Sequence, residues 1–205
     1  MRVIAVSASY GAGGSIIAPL VAKQLDVPYL DRAVAARDSQ RMDEEAREAA
    51  YSEEELERGL WKRIINALAA TPNEMAPVTD VVEHPDLVLR HEAEQRLRAF
   101  ASTGDGGVVL GWAAATVLRG AFCVRLDGPL ERRLRQGMAI EGLDEATARQ
   151  RLDRTDEVRR LYVRRLYQRD WRDPDLYHLT IDTTVLDADT VADLIVRAAR
   201  VASLD

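Results

Sequence analysis

Lysine is almost missing from this chain. Among 28 Lys and Arg residues in 205, only Lys23 and Lys62 are lysines, so nearly all positive charge is guanidinium. Cysteine is as scarce. The lone Cys123 excludes an internal disulfide, and its place in the apolar run Ala121 to Leu126 reads as a buried, inert thiol suited to a reducing compartment. No stretch reaches the roughly 18 apolar residues a membrane span needs, and the first residues enter a strand-like run without a charged leader. A cytoplasmic protein is therefore expected. His84, His91 and His178 lack the paired spacing and the Cys or carboxylate neighbours of a zinc site, and read as surface or satisfied histidines. With a net charge of -6 and a pI near 5.2, neither nucleic acid nor an anionic membrane is an expected partner. A small molecule is.

Apolar residues make up 47% of the chain, enough at this length for one sizeable core, and a single domain over 1–205 is expected. Short apolar runs at Val3 to Ser7, Val27 to Leu30, Gly107 to Leu110, Phe122 to Asp127 and Tyr177 to Asp182 do not alternate and are separated by helical patterns. Such runs suit a parallel sheet covered on both faces, which predicts a three-layer α/β fold with five strands. A long helical insertion is read between the second and third runs, at about 35 to 102. There Ser52 with Glu55 forms a capping box, and Leu56, Leu60, Ile64 and Leu68 make one stripe beside the acidic run Asp43 to Glu57. Pro72, Pro77 and Pro85 mark a loop, and a helix from about Asp86 to Phe100 follows. Later helices are expected from Pro129 to Ile140, from Asp144 toward Gln168 and from Asp187 to Val201.

The stretch "VSASYGAGGSIIA", residues 6 to 18, orders a strand, a glycine-rich turn and a helix start. Glycine at 11, 13 and 14 permits positive φ and close approach of backbone N-H groups to a phosphate, and a helix N-terminus adds partial positive charge. Ser15 can offer a hydroxyl to a phosphate-bound Mg²⁺. A Walker A loop would carry glycine at Ala8 and lysine at Gly14, and this one carries neither. Taken alone, the loop fits both a phosphate cradle and a tight strand-to-helix turn. Pro19 removes an amide from the first turns of the helix and predicts a kink there.

Positive charge could instead come from the segment holding Arg149, Arg151, Arg154, Arg159, Arg160, Arg164, Arg165, Arg169 and Arg172. On one helix these point in different directions. Acid-base pairing, as of Asp153, Asp156 and Glu157 with nearby arginines, is expected to account for about half of them. Tyr162, Tyr167, Trp171 and Tyr177 follow and are expected to pack this segment onto the core rather than stack on a base.

The opening "SYGAGGSIIAPLVAKQLDVPYLDR" resembles that of the cytidylate kinase-like family, a branch of the P-loop nucleoside monophosphate kinases. "VVLGWAAATVL" is similar to their third strand and following loop, and "RLDRTDEVRRLYVRRLYQRDWRDPDLYHLTIDTTVL" to their arginine-rich lid and last strand. The resemblance covers nearly the whole chain and is weakest from about 35 to 100. It implies a P-loop kinase fold with a helical acceptor-side insertion and an arginine-rich lid over about 144 to 172. It further implies ATP and Mg²⁺ as cofactors, phosphates on Gly11, Ala12, Gly13, Gly14 and Ser15, and a metal held through Ser15. Catalysis would rest on Arg154 and Arg159, with Arg160 or Arg164 assisting and Asp156 orienting them. Asp31 and Arg32 would begin the acceptor site, CMP or dCMP being the first acceptor to consider.

Two departures matter. Gly111, Trp112 and Ala113 stand where those kinases show glycine, arginine and aspartate, and Ala8 stands where an arginine often precedes the loop. A catalytically degenerate nucleotide-binding module, acting as sensor or interaction partner, is the alternative that these losses leave open. A nucleic-acid patch along the arginine segment is a weaker third. Nucleotides are the expected partners and a homodimer is the candidate assembly.

Overall fold

A computed structural model describes residues 3–31, 85–104 and 106–202 of the chain. The chain divides into two compact units, one of residues 1–33 and 93–205, the other of residues 34–92. Of the second, residues 85–92 are described and lie in a helix. The capping box at Ser52 and Glu55, the stripe from Leu56 to Leu68, the acidic run, Pro72, Pro77, His84 and Arg32 fall outside the described residues.

The first unit is built on β1 (Val3–Ala8), β2 (Tyr29–Asp31), β3 (Gly107–Leu110), β4 (Phe122–Asp127) and β5 (Leu179–Asp182). They form one sheet in the order β2-β3-β1-β4-β5, and every pairing is parallel. All five carboxyl ends therefore open on one edge, where α/β sheets bind ligands. The helices are α1 (Gly14–Leu25), α2 (Pro85–Ala101), α3 (Ala114–Val117), α4 (Leu130–Glu141), α5 (Glu145–Tyr167) and α6 (Ala188–Val201).

Strand periodicity sorts the core into two faces. Ile4, Val6, Val108, Leu110, Val124 and Leu126 pack with Ile17 and Val21 of α1 and with Val191 and Ile195 of α6. Val3, Ala5, Val109 and Cys123 point the other way, onto Leu97 of α2 and onto Ala114 and Leu118. The three-layer parallel arrangement expected from the apolar runs is thus observed. Burial pushes the Cys123 thiol up to about 11, which keeps it protonated and inert at neutral pH.

Several boundaries shift for local reasons. β2 begins at Tyr29 rather than Val27 because the Val27 amide still bonds to the carbonyl of Ala22, closing the end of α1 after Asp26 at φ 53°. Pro174–Leu176 form a 3-10 turn that bonds the Tyr177 amide, so β5 starts only at Leu179. Despite Pro19, α1 runs unbroken from Gly14 to Leu25. Pro85 opens α2 instead of ending a loop, as the missing N-H of proline allows at a first helical position.

Candidate phosphate-binding site

The loop from Ser9 to Gly13 leaves β1 and enters α1 through two left-handed residues, Gly11 at φ 74° and Gly13 at φ 69°. These alternate with Ala12 and turn successive peptides in opposite directions. The carbonyls that result are taken from outside the loop. Arg159 donates from Nη1 to Ala8 O at 2.6 Å, Arg133 from Nη1 to Tyr10 O at 2.8 Å, and Thr183 from Oγ1 to Ala12 O at 3.0 Å. Ser9 O accepts from the Ala12 amide, and Gly13 O from the amides of Ile16 and Ile17. The amides of Gly11, Gly13, Gly14 and Ser15 meet no acceptor among the described residues. Four N-H donors left over at a helix N-terminus, in a turn with positive φ at Gly11 and Gly13, could hold an anion. Ser15 is exposed at the same place and presents its hydroxyl.

The residue at position 14 is fixed by packing. A Cβ on Gly14 would lie 2.6 Å from the Ala8 Cβ and 3.2 Å from the Leu110 Cδ1, so the first turn of α1 rests directly on β1 and β3. A side chain there would point into the sheet. Position 14 therefore leaves no room for a lysine side chain without a shift of the loop or the strands. At Gly11 a Cβ would lie 2.0 Å from Arg133 O, because the start of α4 crosses the loop there.

Of the arginines on α5, Arg159 reaches this loop. Besides its bond to Ala8 O, its guanidinium lies 3.8 Å from Asp156 and 5.4 Å from the Trp112 ring, with 15% of the side chain exposed. Arg154 projects into solvent and makes no hydrogen bond or ion pair among the described residues, and Arg160 is drawn to Glu157 at 2.6 Å. The three arginines expected to act together are thus separated by the helix. Asp31 ends β2 on the ligand edge, two strands from β1, or about 10 Å across the sheet.

Of the other arginines, Arg149 pairs with Glu131 and Glu145, Arg151 with Glu141 and Arg169 with Asp173, acids other than the Asp153, Asp156 and Glu157 named from the sequence, of which Glu157 meets Arg160 and Asp156 meets Arg133 and Arg159. Tyr162 and Trp171 are buried with Ala113 and Val163, so these aromatics pack the end of α5 as expected.

Sequence reasoning missed Arg133. This buried residue donates to Tyr10 O, to Gly128 O at 3.0 Å and to Asp156 Oδ2 at 2.9 Å, and lies 3.3 Å from Asp127. Asp156 in turn accepts the Tyr10 amide at 2.9 Å, so it orients Arg133 and the loop as well as Arg159. Burial raises the Asp127 carboxyl, but hydrogen bonds from Arg125 and Ser9 and the charges of Arg125 and Arg133 outweigh it and hold the group below its usual value. The available signal was Gly137, an interior helix glycine one turn after Arg133. A Cβ there would lie 2.7 Å from the Tyr10 ring, the close approach that such a glycine announces.

Among the described residues, no group of three or more His, Cys, Asp or Glu is placed to hold a metal, and no helix is long and apolar enough to cross a membrane. A solved structure of an uncharacterized protein from Eubacterium ventriosum aligns over 98% of this chain and 100% of its own, with TM-score 0.65 and 17% identity. Protein TT1252 from Thermus thermophilus aligns over 98% of both chains with TM-score 0.53 and 18% identity. These likenesses concern the fold. A uronate isomerase of Corynebacterium glutamicum is 27% identical over 140 residues, which make up 66% of this chain and 26% of that protein. The chain thus spans about a quarter of the length of that curated relative. The model of the cytidylate kinase-like family matches residues 3–185, from the first strand through the loop, the sheet and the arginine helix to the turn after β5, and the chain belongs to that family.

Proposed function

We propose that the protein transfers the γ-phosphoryl group of ATP to a nucleoside monophosphate, with CMP and dCMP the first acceptors to test. What supports this reading is that the amides of Gly11, Gly13, Gly14 and Ser15, at the start of α1, meet no acceptor among the described residues, while Arg159 donates to Ala8 O at the head of the same loop. Amides and helix start would bind the ATP phosphates, and the exposed Ser15 hydroxyl could join the shell of a Mg²⁺ that would offset the phosphate charge. Arg159, bonded to Ala8 O at the loop's first turn, is the cation best placed to stand where the loop has no lysine. Arg154 would join from its solvent-facing position, and Arg160 after leaving Glu157. Asp31, with Arg32 beside it in sequence, would meet the acceptor at the edge of the sheet. In the reaction an acceptor phosphate oxygen forms a bond to the γ-phosphorus as the bond to the ADP oxygen breaks. Little beyond positioning and charge is asked of the protein.

A coupled assay with ATP and Mg²⁺ against CMP, dCMP, UMP, AMP and GMP tests this. Turnover with at least one acceptor is expected. A hexuronate arm belongs in the same panel because a partial relative is named a uronate isomerase. The packed Gly14 and the neutral Trp112–Ala113 pair favour a second reading, a module that binds nucleotide without transfer. ATP binding in calorimetry, with no turnover on any acceptor, would select it.

A further inference from the structure

We propose that the buried Arg133–Asp156 pair is a positioning clamp that sets the shape of the phosphate loop from behind. It rests on the reading of that loop as the ATP site. Both backbone polar groups of Tyr10 are held by this one pair: the amide donates to Asp156 Oδ1, and the carbonyl accepts from the Arg133 guanidinium, which also donates to Asp156 Oδ2. Both side chains are about nine-tenths buried or more, at 7% and 6% exposure. Arg133 comes from α4 and Asp156 from α5, so the clamp ties the loop to both helices. The Tyr10 ring reinforces it, packing with Leu134, Ala148 and Leu152 while its hydroxyl donates to Glu141 at 2.9 Å. The bond to the Tyr10 carbonyl fixes the peptide plane that also carries the Gly11 amide, and with it the direction of that donor. The clamp so performs orienting work that a ligand-gripping lysine does not do here.

Ion pairs of this kind often contribute little to stability, and an apolar pair of similar volume can replace them at small cost. An apolar pair cannot hold an amide and a carbonyl. The Arg133→Met/Asp156→Leu double variant is therefore expected to stay folded, to bind ATP with Mg²⁺ at least about tenfold more weakly in calorimetry, and to exchange its residue 9–15 amides about tenfold faster without nucleotide. Arg149→Ala, which cuts only the surface bridges from α5 to Glu131 and Glu145, should change neither readout. A folded double variant with affinity and loop exchange within about twofold of the parent overturns the clamp. If the double variant fails to fold, the isosteric Asp156→Asn is held to the same two readouts and the same limits. If the parent binds no ATP, the functional reading fails, and loop exchange alone decides the clamp by the same comparison.

Discussion

At Gly14 a kinase loop would carry its lysine, and here the chain is too close to β1 and β3 to admit one. Restoring the Walker residue should therefore harm the protein. Gly14→Lys is expected to lose about 1–3 kcal/mol of stability through overpacking against Ala8 and Leu110, read as a lower denaturation midpoint, and to gain no activity. Arg159 is the opposite case. It bonds Ala8 O and lies against Trp112, so Arg159→Ala should lower turnover by about 100-fold and also lower stability by about 1 kcal/mol. The solvent-facing Arg154 contributes nothing comparable to packing, and Arg154→Ala should cost turnover at unchanged melting temperature.

The elements near the site are joined by carboxylates. Asp127 ends β4 between Arg125 and Arg133, and its folded pKa is depressed, so its stabilisation is present above the unfolded value and is lost as pH falls through the folded one. Asp127→Asn should melt below the parent at neutral pH, and the gap should close as pH falls below about 4. A gap independent of pH would contradict this. The helix starts were legible in the sequence because their signals are local: Asp144 caps α5 through the Thr147 amide and Asp187 caps α6 through the Thr190 amide, where the helices were expected to begin. Strands β3 and β4 matched residue for residue, since apolar runs bounded by Gly, Ala and Asp leave little room for slippage. Arg133 was illegible for the converse reason. It sits between Arg132 and Leu134 in an ordinary amphipathic pattern, and apart from the indirect sign of Gly137 one turn on, what distinguishes it is contact with Tyr10 and Asp156, each more than 20 residues distant.

Across the molecule, arginine is divided between two uses. Arg149, Arg151, Arg160 and Arg169 are spent on surface acids, while Arg125, Arg133 and Arg159 converge on the phosphate loop and the end of β4. With Arg149, Arg151 and Arg160 of α5 paired to acids, in a chain of net charge -6, binding to RNA or DNA should be undetectable even at low salt. In the proposed reaction the loop's amides and one guanidinium from α5 would together stand in for the lysine that the loop lacks. Calorimetric titration of ATP with Mg²⁺ into the parent and into Arg159→Ala tests this most directly. One site per chain in the parent, weakened about tenfold or more in the variant, is the predicted result; a folded parent that binds no ATP, or a variant that binds as tightly, would contradict it.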